Sequence, residues 1–149
     1  DLPVPTLVKQ SDERVFDFCR RHAAKPRLLF VPTKPHLEQY RKTLEDAGFT
    51  CRTVSAETEE RTDALHWLQE TKGIVLATSI WERGMTVRDV QVGVLESEHR
   101  LFTTRGLIQM AGRAGRKPDA PTGEVCFFYH ERTFRQDLAI RAIVKANSR

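Results

Sequence analysis

The sequence RLLFVPTK at Arg27–Lys34 carries the strongest signal for the fold class. Its apolar centre is continuous rather than alternating, which is typical of a strand buried on both faces of a sheet. Pro and Thr then indicate a turn, and Leu37, Tyr40 and Leu44 recur at the spacing of one helix face. Gly48 is expected to end that helix. The segment therefore predicts one strand-loop-helix unit.

Further predicted strands and helices lie on both sides of this strand-loop-helix unit in the sequence. Alternating apolar strands and amphipathic helices predict an α/β domain with a mostly parallel sheet and helices on both faces. Ligands of such sheets meet the loops beyond the carboxyl ends of the strands, so the loops after Val31 and Thr78 and the helix holding Gln109 matter most. The further predicted strands cover 49–54, 74–78, 90–95 and 124–129, and the further helices cover 11–24, 58–70, 104–114 and 133–146.

The amino-terminal residues differ from the rest. Leu2-Pro3-Val4-Pro5 cannot be helical, because each proline fixes its own backbone and extends the residue before it. Residues 1–10 are therefore predicted to be a linker or edge segment, and residues 11–149 a single domain. Because Asp1 stands where an initiating Met would, we expect the chain to be a fragment of a longer protein.

Charge and cysteine content narrow the function classes. The chain has 24 Lys and Arg against 20 Asp and Glu, a net charge of +4 that permits a polyanionic partner without requiring one. Cys19, Cys51 and Cys126 lie far apart without a C-x-x-C motif, which argues against a disulfide framework and a zinc site. We expect reduced core thiols of a cytosolic protein and no bound structural metal. No apolar run approaches the roughly 20 residues of a membrane span.

The most informative motif is QMAGRAGR at Gln109–Arg116. Each glycine costs a helix about 1 kcal/mol relative to alanine, so another interaction must offset that cost. Arg113 and Arg116, three residues apart, can point together at one compact anion such as a triphosphate. The alternative is a frayed helix end whose arginines only interact favourably with the negative end of the helix dipole.

This segment resembles motif VI of superfamily 2 helicases and translocases, which lies in the second of their two RecA-like domains. The resemblance implies a three-layer RecA-like domain. It also implies that Arg113 and Arg116 are arginine fingers for the γ-phosphate of ATP. Gln109 would help to position this phosphate, and Gly112 would belong to the same nucleotide contact.

A second segment, ATSIWERGMT at 77–86, resembles motif V of the same superfamily. The likeness implies that Thr78 contacts a nucleic-acid phosphate and that Gly84 lies at the domain interface near the nucleotide. Thr86 replaces the acidic residue that many related helicases carry near the ribose. Trp81 is the best placed aromatic for stacking on a base, although packing inside the protein is the alternative.

The segment Leu28–Lys34 resembles motif IV, which delivers a small polar residue towards the nucleic-acid backbone. Thr33 and Lys34 are the contacts that this likeness implies. An ordinary strand followed by a polar turn explains the same residues, so both interpretations stay open.

Within the superfamily, the likeness is strongest to the late competence family of DNA-uptake ATPases. It rests on LPVP, ATSIWERGMTVRDV, EHRLFT and PTGEVCFFYH, in that order along the chain. The resemblance implies ATP-driven movement on single-stranded DNA during transformation. It also implies a cytoplasmic location, peripheral to the inner membrane through other competence proteins. The alternatives are the second RecA-like domain of a replication-restart or repair helicase, and a nucleic-acid-binding module without ATPase activity.

The sequence contains no G-x-x-x-x-G-K-[ST] phosphate loop. We therefore expect ATP and Mg²⁺ to be bound mainly by an upstream RecA-like ATPase domain, and this chain alone to be inactive. The run VGVLESEH at 92–99 imitates a strand followed by a catalytic acidic box. Without a preceding phosphate loop, Glu96 and Glu98 are interpreted as strand-end or interface carboxylates.

Overall fold

The computed structural model describes residues 2–55, 61–78, 86–114 and 123–148. Within these ranges, six short strands form one sheet in which every neighbouring pair is parallel. The strands are β1 (Thr6–Lys9), β2 (Arg27–Phe30), β3 (Cys51–Val54), β4 (Ile74–Ala77), β5 (Gln91–Val94) and β6 (Val125–Tyr129). Their spatial order is β1-β6-β5-β2-β4-β3, so β2 lies between β5 and β4.

Five helices accompany these strands in the described part of the chain. They are α1 (Asp12–Arg21), α2 (Lys34–Asp46), α3 (Arg61–Thr71), α4 (Thr104–Ala111) and α5 (Phe134–Asn147). The Ser11 side chain accepts the backbone N–H of Arg14 at 3.2 Å, which confirms the predicted start of α1. Gly48 follows α2 at φ +96°, a conformation that favours glycine, as predicted for the end of that helix. None of the described helices is long and apolar enough to cross a membrane.

The sheet divides the hydrophobic core into two clusters, one on each face. Neighbouring side chains of a strand point to opposite faces, so Leu28 and Phe30 join one cluster and Leu29 joins the other. The first cluster contains the buried side chains of α3, α4 and α5, and the second contains those of α1 and α2. This arrangement confirms the predicted three-layer α/β fold.

The element boundaries differ from the predictions in a few places. The amino-terminal segment contains an edge strand, β1, which pairs with β6. Asn147, at the end of α5, binds Leu2, which precedes this strand. The Asn147 side chain accepts from the Leu2 N–H at 2.9 Å and donates to the Leu2 carbonyl at 2.7 Å. Helix α4 ends at Ala111 rather than at residue 114, because Gly112 forms its C-cap.

Polar groups at the amino-terminal edge of the sheet have internal partners. The buried Arg27 guanidinium donates to three backbone carbonyls at 2.8–3.1 Å, and burial lowers its pKa. The Glu124 carboxylate accepts from Arg21 at 3.0 and 3.1 Å and lies 2.5 Å from His22 Nε2. These polar groups are therefore satisfied by interactions within the domain.

The carboxyl-terminal edge has the geometry of a binding crevice. Strand β2 leads to α2 on one face of the sheet, whereas its neighbour β5 leads to α4 on the opposite face. Neighbouring strands whose connections leave to opposite faces open a crevice between them, and α/β proteins bind their ligands there. The segments after β2 and β5 therefore frame the candidate site.

All three cysteines are buried and unbonded. Burial raises the pKa of Cys19 and of Cys126 to about 12, and that of Cys51 to about 11. Because a protonated thiol is a poor nucleophile and metal ligand, these residues act as core side chains, as the sequence predicted.

Candidate functional site

Thr33 stands at the carboxyl end of the β2 segment and forms the N-cap of α2. Its backbone is extended, at φ −140° and ψ 166°, but its hydroxyl does not cap the helix. The hydroxyl instead lies 2.5 Å from Nδ1 of His36, one turn further on. Lys34 is exposed as the first residue of α2. The structure therefore places Thr33 and Lys34, the two residues predicted to contact the nucleic-acid backbone, at the crevice.

His36 belongs to a cluster that joins three segments of the chain, hereafter the carboxyl-edge network: Gln10, Thr33, His36, Tyr40 and Glu96. His36 Nε2 lies 3.3 Å from Glu96 Oε2, and the Tyr40 hydroxyl donates to the same oxygen. Gln10 completes the network, because its Nε2 donates to the Tyr40 hydroxyl at 2.8 Å and its Oε1 accepts the Glu96 N–H at 2.8 Å.

The backbone of Glu96 is unusual for a strand end. Glu96 has a φ of +52°, a left-handed conformation that non-glycine residues adopt only where the surroundings hold it. Burial and the hydrogen bond to Glu96 raise the pKa of Tyr40, so the phenol stays a neutral donor to the carboxylate. The network thus holds an acidic group against one histidine beside the predicted DNA contact.

Thr78 lies next to β2, directly after β4. It is half-buried, and its N–H donates to the Val54 carbonyl at 3.2 Å. A pocket of about 440 Å³ brings Thr78 together with Gln109 of α4, across Pro32 and Thr103. The structure therefore brings Thr78 and Gln109, one residue from each of the segments that resemble motifs V and VI, to one opening.

The end of α4 carries the predicted nucleotide contacts. Gln109 is exposed, and Arg113 is half-buried in the first turn after the helix. No carboxylate of the described residues forms an ion pair with Arg113. A Cβ placed on Gly112 would meet only carbonyl oxygens of α4, at 3.4 and 3.5 Å. This region therefore offers a guanidinium and a bare backbone position, which suit the negative charge of a triphosphate.

The remaining predicted site residues are not brought together by the described contacts. Thr86 is exposed and does not line the pocket beside Thr78. Trp81, Gly84 and Arg116 lie outside the described residues. Within the described ranges, no group of three or more His, Cys, Asp or Glu side chains could hold a metal ion.

The two carboxylates of the ESEH run have structural partners. Glu96 belongs to the carboxyl-edge network, and Glu98 Oε1 accepts the backbone N–H of His130 at 2.9 Å. Both side chains therefore stabilise the loop between β5 and α4. The interpretation of Glu96 and Glu98 as strand-end carboxylates is confirmed.

Sequence reasoning did not identify the partners that surround Thr33. His36 follows Thr33 by three residues at a helix start, and this spacing was the available local signal. The contact with Glu96 could not be read from the sequence, because the two residues are 60 positions apart and meet only through the pairing of β2 with β5.

Comparison with known proteins identifies a family and two similar curated proteins. Residues 10–118 match the family model of the helicase conserved C-terminal domain. The chain is 36% identical over 135 residues to competence protein ComFA of Streptococcus pneumoniae, which covers 86% of this chain and 30% of that protein. It is 37% identical over 112 residues to ComFA of Bacillus subtilis, covering 73% and 24% respectively. The chain therefore spans less than a third of the length of these relatives.

Solved structures share the architecture. The C-terminal domain of Dbp5 from S. cerevisiae, bound to Gle1 and IP6, gives a TM-score of 0.65 at 18% identity and covers 99% of this chain and 86% of that chain. The E. coli DEAD-box protein SrmB, bound to regulator of ribonuclease activity A, gives 0.67 at 16% identity, covering 87% and 78%. At these identities the likeness shows the fold, which is that of RecA-like helicase C-terminal domains.

Proposed function

This chain belongs to the helicase conserved C-terminal domain family, and we propose that it is the second motor domain of an ATP-dependent translocase or helicase. We propose further that the whole protein moves on single-stranded DNA during uptake in transformation. The identity of 36–37% to ComFA over most of the chain supports this assignment.

The observation that carries the proposal is the surroundings of Arg113. A partly exposed guanidinium without an acidic partner among the described residues can pair with a phosphate of a bound ligand. We propose that Arg113 and Arg116 neutralise the charge of the γ-phosphate, that Gln109 helps to orient it, and that Gly112 permits close approach. ATP supplies the phosphoryl group, and an arginine finger is typically worth about 10³–10⁵ in rate.

The carboxyl-terminal edge supports a role in DNA binding. Hydroxyl and backbone N–H groups at strand ends can hold phosphates without reading bases, and Thr33 and Thr78 lie at the ends of the neighbouring strands β2 and β4. Lys34 adds a positive charge beside Thr33. In this proposal Trp81 stacks on a base next to the Thr78 contact, and Gly84 and Thr86 contribute to the nucleotide side of the interface.

The proposal includes a partner domain. Because the sequence has no phosphate loop, the phosphates of ATP and the Mg²⁺ ion are proposed to be held by an upstream RecA-like ATPase domain of the same protein. In this account the chain is inactive alone and works by closing on that domain. The cytoplasmic location, peripheral to the inner membrane through other competence proteins, belongs to the same proposal.

The test is the DNA-stimulated ATPase of the full-length protein carrying Arg113→Ala or Arg116→Ala. We expect kcat to fall about 10³-fold or more, with an unchanged circular dichroism spectrum. Arg132→Ala is the matched control, because Arg132 forms an ion pair at 2.8 Å with Asp137, a residue of α5. This variant should keep wild-type turnover.

Unchanged turnover in both finger variants would refute the proposed catalytic role. A complete protein without ATPase activity would instead support a pure binding module. Efficient strand displacement on a duplex would favour a replication-restart or repair helicase over an uptake translocase.

A further inference from the structure

We propose that His36 is a positioning residue whose protonation decides whether the Thr33 hydroxyl can donate its hydrogen to a nucleic-acid phosphate. This inference rests on the proposed function, in which Thr33 contacts the DNA backbone. In this proposal, the protein binds single-stranded DNA and one proton, at His36, together.

The first step is the short contact between the two side chains. Thr33 Oγ1 and His36 Nδ1 are 2.5 Å apart, so one hydrogen lies between them. That hydrogen belongs either to the hydroxyl or to the ring nitrogen. The Thr33 hydroxyl has a single hydrogen, and donating it to His36 leaves none for a phosphate oxygen.

The second step is the effect of Glu96 on the neutral imidazole. His36 Nε2 lies 3.3 Å from Oε2 of Glu96, and an ionised carboxylate only accepts hydrogen bonds. The neutral ring therefore carries its hydrogen on Nε2, facing Glu96, and Nδ1 keeps its lone pair. In this state Nδ1 accepts the hydrogen of Thr33, and the hydroxyl can offer a phosphate only its lone pairs, which a phosphate repels.

The third step is protonation of Nδ1 by a proton from solvent. The imidazolium donates from both nitrogens, from Nε2 to Glu96 and from Nδ1 to Thr33 Oγ1. Thr33 then accepts from His36, and its own hydrogen turns outward to a phosphate oxygen. The side chains of His36 and Glu96 are 21% and 19% exposed, so solvent can reach the ring.

The ring is held in place by neighbours that do not compete for Nδ1. It stacks on Tyr40 at 6.3 Å between centroids and meets the edge of His99 at 5.8 Å. Among the described residues, the charged or titratable groups in contact with the ring are Glu96 and His99 from the β5 loop and Tyr40 from its own helix. Lys34 lies two positions earlier on that helix, and Asp12 of α1 lies near Tyr40. His99 uses its own Nδ1 to accept the Leu101 N–H at 3.2 Å.

The consequence is a linkage between DNA binding and proton uptake. A ligand that binds better to the protonated protein binds more weakly as the pH rises, by up to about tenfold per pH unit for one proton. DNA affinity should therefore fall as rising pH removes the proton from His36, through His36 and Thr33 together.

The test measures the dissociation constant of the full-length protein for an oligo(dT) single strand from about pH 6 to pH 8. The salt concentration is held fixed, because phosphate contacts depend strongly on ionic strength. We expect the wild-type dissociation constant to rise about three- to tenfold over this range. Thr33→Val should bind weakly at pH 6 and show no such rise.

His36→Gln separates a proton switch from a merely structural role. Glutamine keeps an amide N–H that can reach Glu96 but has no nitrogen that takes up a proton, so the Thr33 hydrogen no longer responds to pH. We expect pH-independent binding that at pH 8 is at least as tight as that of the wild type, whereas a structural role would weaken binding at every pH. His99→Gln is the matched control and should keep the wild-type pH dependence.

The outcomes distinguish the two proposals. If Thr33→Val binds as tightly as the wild type at pH 6, the proposed phosphate contact of Thr33 is wrong. If Thr33→Val weakens binding but His36→Gln or Thr33→Val keeps the wild-type pH dependence, the DNA contact stands and the proton switch is overturned.

Discussion

At the scale of single residues, the domain uses charged side chains in two different ways. Arg21 is matched to the Glu124 carboxylate at 3.0 Å, and Arg41 is matched to Glu38 and Glu45. Arg113 has no such match within the described residues, although it is half-buried. Arg21 and Arg41 therefore use their charge inside the domain, whereas the proposed role of Arg113 is to pair with a phosphate of ATP.

Glu124 gives a stability prediction with a defined pH dependence. Its burial alone would raise its pKa, but hydrogen bonds from Arg21 and His22 outweigh this effect and lower the pKa below 4.5. Its stabilising contribution is therefore present above about pH 4.5 and is lost as the pH falls through the lowered pKa. We expect Glu124→Gln to lower the free energy of unfolding by about 1–2 kcal/mol at pH 7 and by much less at about pH 3.

Urea unfolding at the two pH values checks this prediction. Glu70→Gln is the control, because Glu70 is exposed on α3. Equal behaviour of the two variants at both pH values would show that the Glu124 contacts do not stabilise the fold.

At the scale of elements, strand β5 depends on a glycine for its packing. A Cβ on Gly93 would lie 2.7 Å from Leu29 Cδ2 and 3.3 Å from Phe128 Cε2, inside the core shared with α1. We expect Gly93→Ala to destabilise the domain by about 1–3 kcal/mol in urea unfolding. Adding Leu29→Val should recover part of this loss, and strictly additive effects would contradict the steric explanation.

Gly112, at the end of helix α4, is expected to affect activity without being required for stability. Gly112 has an ordinary helical conformation at φ −67°, and a Cβ there would make only normal contacts. We expect Gly112→Ala to leave stability unchanged or raise it by about 0.4–1 kcal/mol, and to reduce DNA-stimulated ATPase of the full-length protein. Thermal unfolding and turnover measured on the same variant test this, and full turnover would show that no second surface approaches Gly112.

The sequence predicted the elements well where the local signal matched the tertiary role. The strands over 27–31 and 74–78 were correct because burial on both faces requires a continuous apolar run. The sequence predicts either a linker or an edge segment at the amino terminus, because Pro3 and Pro5 dominate the local pattern and the pairing of β1 with β6 joins opposite ends of the chain. Thr33 and Thr78 were placed correctly at strand ends, whereas the role of His36 and Tyr40 depended on long-range register.

At the scale of the whole molecule, the two edges of the sheet have different roles. At the amino-terminal edge, Arg27 and Glu124 have partners within the domain. The carboxyl-terminal edge carries the carboxyl-edge network and the pocket beside Thr78. This asymmetry fits a domain that works by presenting one edge to DNA and to another domain.

The most direct test of this account is energy transfer between a dye on this chain and a dye on the proposed upstream ATPase domain of the full-length protein. Glu131→Cys offers an exposed attachment point, while the native thiols of the chain are buried. The account predicts that a non-hydrolysable ATP analogue and single-stranded DNA together raise the transfer efficiency, and that Arg113→Ala with Arg116→Ala abolishes the rise. An equal rise in the double variant, or none in the wild type, would contradict it.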